Sequence, residues 1–157
     1  MRIKLARIDD RLIHGQVTTV WAREADAERI VIVSDEVAQD EIRKTLLKRV
    51  APPGIKVNII NIEKAAKVYK NPKYAEESVF LLFTCPQDVL RLVKKGVPLK
   101  SCNIGGMRFK NGKTSVAKAV FVDTGDKEAF RALADLGVEL EIRTVATDPR
   151  INILDKI

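Results

Sequence analysis

One histidine occurs in the 157 residues of this chain. It stands in the run Asp9-Asp10-Arg11-Leu12-Ile13-His14-Gly15-Gln16-Val17, between a strand-like segment and the start of a helical pattern. Imidazole, with an ordinary pKa of about 6.5, is a good nucleophile at neutral pH. Arg11, three residues earlier, offers a planar fork of donors that fits phosphate oxygens. A helix beginning at Gly15 would aim the backbone N–H groups of Gly15, Gln16 and Val17, and the positive end of its dipole, at a dianion. Gly15 lets the backbone approach with no Cβ in the way. Asp9 or Asp10 could orient the ring or hold Arg11. These types at this spacing suit a phosphoryl group carried covalently on His14. The plainer alternative is that His14 merely caps a helix. Loop position, arginine spacing and helix start together favour the phosphoryl reading.

A second pattern is weaker. Cys85-Pro86-Gln87-Asp88-Val89-Leu90-Arg91 matches C-x5-R, the phosphate loop of tyrosine phosphatases. Such a loop needs its backbone donors, and glycine to permit the curl. Here Pro86 removes a donor, glycine is lacking and Asp88 would repel the dianion, so a helix opening at Pro86 is the better reading. Gly105-Gly106, beyond the carboxyl end of the fifth strand, could bring backbone close to a ligand or simply turn the chain. Ser34-Asp35 ends the second strand and could cap a helix or face the site. Neither G-x-G-x-x-G nor G-x-x-x-x-G-K-[ST] occurs, so dinucleotide and nucleoside-triphosphate binding lack support. Two cysteines and one histidine give metal chemistry little to work with. No cofactor or metal is expected.

The elements that must position these residues follow from pattern. Apolar, Val/Ile-rich runs at Ile3 to Ile8, Arg29 to Ser34, Lys56 to Ile60, Ser78 to Phe83, Ser101 to Ile104, Ala119 to Val122 and Val138 to Arg143 read as strands. Helices are expected at about Gly15 to Ala25, Asp35 to Val50, Ile62 to Tyr69, Pro86 to Lys95 and Asp126 to Leu136. The second has Val37, Ile42, Leu46, Leu47 and Val50 as its apolar set. Met107 to Lys118, with its Asn111-Gly112 turn signal, reads as a short excursion or hairpin before the sixth strand. The expectation is a single α/β domain spanning residues 1–157, with an open, mostly parallel sheet covered by helices on both faces. Ligands of such sheets bind beyond the carboxyl ends of the strands, where His14 falls.

Composition narrows the classes. Apolar residues are 46% and charged residues 31%, as in a globular protein. The net charge of +7 favours an acidic partner. Its basic residues are spread along the chain and aromatics are only 5%, so solvated helix faces explain them better than nucleic acid does. The longest apolar run, Val79 to Phe83, is far short of the roughly 20 residues a bilayer demands. With no secretory signal visible, the expected location is the cytoplasm.

The run Leu5 to Val17 resembles the active-site segment of the enzyme IIB component of the mannose/fructose/sorbose class of the bacterial sugar phosphotransferase system. The resemblance continues through Ser34-Asp35-Glu36-Val37-Ala38 and Asn103-Ile104-Gly105-Gly106-Met107, and as pattern alone through Val138 to Arg143. It implies that His14 accepts a phosphoryl group, at ring Nδ1, from phosphohistidine of a IIA component. The group then passes to a hexose-type sugar during uptake through the membrane-embedded IIC and IID components. Arg11 falls on the arginine that contacts the phosphate, with Gly15 and Gln16 beside it and Asp10, Asp35, Gly105 and Gly106 in support. The resemblance further implies a mostly parallel α/β sheet and a location at the inner face of the membrane through these partners. A non-catalytic, anion-binding or regulatory α/β module is the alternative.

Overall fold

Val31-Ile32-Val33 and Val79-Phe80-Leu81-Leu82-Phe83 offer water no polar face, and such runs are stable only with cover on both sides. The structure is a computed structural model describing residues 1–157 apart from the side chain of Gln16. Its strands are β1 (Arg2–Asp9), β2 (Arg29–Val33), β3 (Lys56–Ile60), β4 (Ser78–Phe83), β5 (Ser101–Gly106), β6 (Thr114–Ala117), β7 (Val120–Val122), β8 (Glu139–Ile142) and β9 (Ile151–Asn152). Its helices are α1 (Gly15–Ala25), α2 (Asp35–Gln39), α3 (Glu41–Arg49), α4 (Ile62–Lys70), α5 (Pro86–Lys94) and α6 (Thr124–Asp135). Seven strands form one sheet in the order β3-β2-β4-β1-β5-β8-β9. Every pairing in it is parallel except β8 with β9.

Side chains on a strand alternate between faces, and the two cores follow that rule. Ala6 and Ile8 of β1, with Cys102 and Ile104 of β5, pack against Ile62 and Ala65 of α4, Val89 and Leu92 of α5, and Phe130 and Leu133 of α6. The opposite face is covered by Trp21 and Ala22 of α1, Val37 of α2 and Leu47 of α3. Arg7 and Asp9 of β1, and Asn103 and Gly105 of β5, therefore point to the α1 face. The mostly parallel sheet with helices on both faces agrees with the expectation from sequence. Among the described residues, no helix is long and apolar enough to cross a membrane.

Three expectations need correction. The helix expected over Asp35 to Val50 is two helices. Asp40 is extended (φ −97°, ψ 94°), and its carboxylate accepts from Arg43 N at 3.0 Å, restarting the helix as α3. The restart changes the phase, so Ile42, Leu46 and Val50 face solvent and only Val37 and Leu47 of the expected apolar set are buried. The strand expected at Ala119 to Val122 lies outside the main sheet: β7 pairs with β6 as a two-stranded sheet, joined to the end of β5 only by a single parallel bridge between Val120 and Met107. Gly112 does take the left-handed conformation (φ +88°), but it sits in the loop before β6 and does not make the hairpin. Finally, Gly105 and Gly106 lie inside β5 rather than beyond it.

Candidate phosphoryl-transfer site

β1 ends with two charged side chains on its α1 face, Arg7 and Asp9, only 2% and 1% exposed. Burying either alone would be costly, so each must find its partner there. Arg7 Nη2 lies 3.2 Å from Asp9 Oδ2. The rest of the guanidinium is used up by Asn103 Oδ1 and by the carbonyls of Arg143 and Thr144, each at 3.0 Å. Trp21 closes the pocket, its ring centroid 4.8 Å from Arg7 Cζ and 4.9 Å from Arg143 Cζ. Its indole N–H donates to the Thr144 carbonyl at 3.0 Å. Burial pushes the Arg7 guanidinium below its ordinary pKa, and the Asp9 carboxylate pulls it back up.

Asp9 is the hub. Beyond Arg7, it receives Arg11 N at 3.2 Å and Arg11 Nε at 3.4 Å on Oδ1, and His14 Nε2 at 2.9 Å on Oδ2. A carboxylate beside two guanidiniums accepts, so Nε2 of His14 is the donor and carries the ring hydrogen. The other nitrogen, Nδ1, is then the one that presents a lone pair. The loop between them is tight. Leu12 sits at φ +60° with its N–H on the Asp9 carbonyl at 2.9 Å, a conformation few non-glycine residues adopt. Thr18, buried one turn into α1, receives the His14 N–H on Oγ1 at 3.0 Å.

The N-terminus of α1 carries no side-chain cap. His14 is its extended N-cap but makes no capping hydrogen bond with its ring, and no acidic residue stands in the first turn. Gly15 takes φ +51°, a left-handed value that glycine adopts without the cost a side chain incurs. Gln16 follows it in the first turn; its side chain lies outside the described residues. The Arg11 side chain, 42% exposed, can leave Asp9 to meet an incoming group.

The other residues singled out from sequence take different posts. Asp10 receives Arg108 N at 2.8 Å and pairs with the Arg108 side chain, so it fastens the loop after β5 rather than His14. Asp35 caps α4 through Ile62 N at 3.0 Å and pairs with Arg91 at 2.8 Å. That backbone bond and then Arg91 hold its carboxyl below the usual range. Gly105 and Gly106 make space: a Cβ on Gly105 would collide with the Arg7 guanidinium, and one on Gly106 would press on Asp9 Oδ1 at 3.1 Å. In the C-x5-R segment, Arg91 is committed to Asp35 and Asp88. Burial, with Asp88 beside it, pushes the Cys85 thiol up, away from a nucleophilic thiolate. Sequence reasoning overlooked Arg7, Thr18, Trp21 and Asn103. Arg7 alone carried a signal: it interrupts the apolar alternation of β1 on a side the strand buries.

A family model described as "PTS system sorbose subfamily IIB component" matches residues 3–157. The chain belongs to that family. The IIB component is 62% identical over 157 residues to the sorbose-specific EIIB component of Lacticaseibacillus casei, covering 100% of this chain and 96% of the relative. It is 57% identical to the mannose-specific EIIAB component of Escherichia coli K12, again over the whole chain but spanning 49% of that longer protein. Among solved structures, the IIBSor domain of the Klebsiella pneumoniae sorbose permease superposes with a TM-score of 0.97 at 58% identity, covering 99% of this chain and 96% of that one. This IIB component is thus a sugar phosphotransferase-system protein of the sorbose/mannose type, and its arginine–carboxylate–histidine cluster lies at the carboxyl edge of the family's sheet.

Proposed function

We propose that His14 is the phosphoryl carrier of this IIB component, taking the group from phosphohistidine of a IIA component and giving it to a hexose-type sugar. The observation that carries the reading is the 2.9 Å contact between His14 Nε2 and the buried Asp9, which supports an Nε2–H tautomer with Nδ1 as the nucleophile. In the first step Nδ1 attacks phosphorus in line, and the donor's N–P electron pair returns to its own imidazole. In the second, a sugar hydroxyl attacks phosphorus and gives up its proton to water or to a base supplied on the sugar's side, while the N–P electron pair returns to Nδ1. Arg11 and the first-turn N–H groups, those of Gly15, Gln16 and Val17, stabilise charge on the equatorial oxygens. The donor is already a phosphohistidine, so positioning and electrostatics suffice.

Relatives named for sorbose, mannose and fructose support a hexose as the final acceptor. The fused EIIAB relative supports a IIA component as the donor. Residues 1–157 act as one IIB domain, held at the cytoplasmic face of the membrane through IIC and IID. The test is intact mass after incubation with phosphoenolpyruvate, enzyme I, the carrier protein and a IIA component. Wild type gains one acid-labile, alkali-stable phosphoryl group and His14→Gln gains none, with unchanged circular dichroism. A group that persists in His14→Gln, or maps to Cys85, refutes the assignment.

A further inference from the structure

Four of the five phenylalanines pack into or against the protein, but Phe109 is 59% exposed. Its place is specific. β5 ends beside β1, and the Asp10 N–H donates to the Gly106 carbonyl at 3.1 Å. Asp10 then grips the root of the next loop through Arg108 N at 2.8 Å, while Lys113 pins its far end to Asp126 at 2.8 Å. Between these clasps, Arg108, Phe109 and Lys110 are exposed at the carboxyl edge that carries His14. Phe109 does not hang free. Its ring meets Phe121 edge-on, with centroids 5.6 Å apart and planes at 78°.

We propose that Arg108-Phe109-Lys110 is a docking rim for an acidic protein face that brings the phosphoryl donor to His14; the donor's identity rests on the function proposed above. The chemistry selects this occupant. The segment Met107 to Lys113 contains three cations, one aromatic and no carboxylate; Lys113 is spent on Asp126, which leaves Lys110 and the largely exposed Arg108 to face a partner. Arg11, over Gly106 and paired with the same Asp9 that holds His14, adds a further, partly exposed cation. A sugar would call for several carboxylate or amide groups facing its hydroxyls, and this segment has only the Asn111 amide. An aromatic anchor ringed by cations is instead the composition of a protein-contact centre, matched to an apolar spot inside an acidic surface. Because Phe121 already restricts the Phe109 ring and two ion pairs clasp the loop, little ordering entropy is lost on docking. The charges should speed encounter, and salt should slow it.

The experiment titrates an unphosphorylated, separately encoded IIA component into wild type, Phe109→Ala and Lys110→Glu by calorimetry. It then measures single-turnover transfer from the phosphorylated IIA protein. Each variant is expected to weaken binding about 10- to 50-fold, which matches loss of one interface anchor. The concentration giving half-maximal transfer should rise by the same factor, with the saturating rate within about twofold of wild type. Lys110→Glu should also flatten the salt dependence. Binding unchanged in both variants overturns the proposal. So does a falling saturating rate with binding intact, which would assign the loop to the chemical step or to the sugar side. If wild type takes up no phosphoryl group yet Phe109→Ala still weakens binding, the docking surface stands and the carrier assignment of His14 fails instead.

Discussion

Adding one methyl group at Gly105 should disable the site from beneath. The backbone there is ordinary extended strand, so Gly105→Ala introduces no φ strain, and the whole effect is steric. The new Cβ would fall on the Nη2, Cζ and Nη1 atoms of Arg7. A flexible surface arginine would swing aside, but this one is 2% exposed and bonded to Asp9, Asn103 and two carbonyls. Displacing it breaks the buried Arg7–Asp9 pair, a change that ordinarily destabilises by about 3–5 kcal/mol. For a domain of this size that corresponds to a fall in Tm of roughly 6–20 °C. Typical total stabilities of about 5–15 kcal/mol leave most of the protein folded at 25 °C. The folded fraction should nevertheless transfer slowly, because Asp9, short of one cation, no longer holds His14 Nε2 in one orientation. Gly106→Ala is the matched control. Its Cβ would lie 3.1 Å from Asp9 Oδ1 and 3.5 Å from Arg11 Nη2, a crowding that small shifts relieve, at about 1 kcal/mol. Thermal unfolding by circular dichroism and single-turnover transfer from a phosphorylated IIA protein would be measured on both variants. A Gly105→Ala protein with wild-type Tm and wild-type transfer would show that the buried arginine neither needs its glycine bed nor supports the histidine.

Arg11→Ala should slow saturated transfer about 10- to 100-fold, the loss of one charge-assisted contact worth roughly 1.5–3 kcal/mol, and Arg11→Lys, without the planar fork, should recover only part of it. Equal single-turnover rates for all three proteins would remove Arg11 from the transition state. Cys85→Ser should be silent in transfer at unchanged Tm, because burial already keeps that thiol protonated; a large loss of rate would reopen the C-x5-R segment. Asp126 accepts from Lys113, Gln87 and the Asp123 N–H, and these outweigh burial to hold its carboxyl below the ordinary range. A lowered folded-state pKa stabilises above the unfolded value and loses that contribution as pH falls through the folded value. Urea midpoints of wild type should therefore drop below about pH 4 more steeply than those of Asp126→Asn, which starts less stable at neutral pH by roughly 1.5–3 kcal/mol; parallel pH profiles would contradict this.

The inner sheet is legible in the sequence because β2 and β4 are uninterrupted apolar runs with no other soluble solution, and their bounds are matched to within a residue. The break at Asp40 is not legible. An aspartate on an otherwise helical pattern looks like a solvated face, and only the backbone reveals that its side chain caps a second helix. β9 is two residues long, and its existence depends on β8 being there to pair with it. At the site, His14, Arg11 and Gly15 could be read from one contiguous run. The choice between Asp9 and Asp10 could not, since adjacent strand residues point to opposite faces and the face is settled by what covers it. Here Trp21 and Gly105 decide that Asp9 turns inward. The glycine pair was readable as close approach to a ligand, whereas what approaches is the protein's own arginine. Packing partners of that kind, 96 or more positions away in the chain, leave no local pattern.

The carbonyls that clamp Arg7 belong to residues 136 and 137 positions further along, and the Trp21 indole waits on the same Thr144. β1 itself is a central strand whose two neighbours begin only at Ser78 and Ser101. During synthesis at about 5–20 residues per second, roughly 7–27 s separate the appearance of Arg7 from that of its clamp. For the first half of that interval β1 has no sheet to join, and once β4 is made it can pair with β4 while Arg7 still lacks its clamp. A chain interrupted before Thr144 therefore carries His14 but lacks the Arg143 and Thr144 carbonyls that hold Arg7 against Asp9.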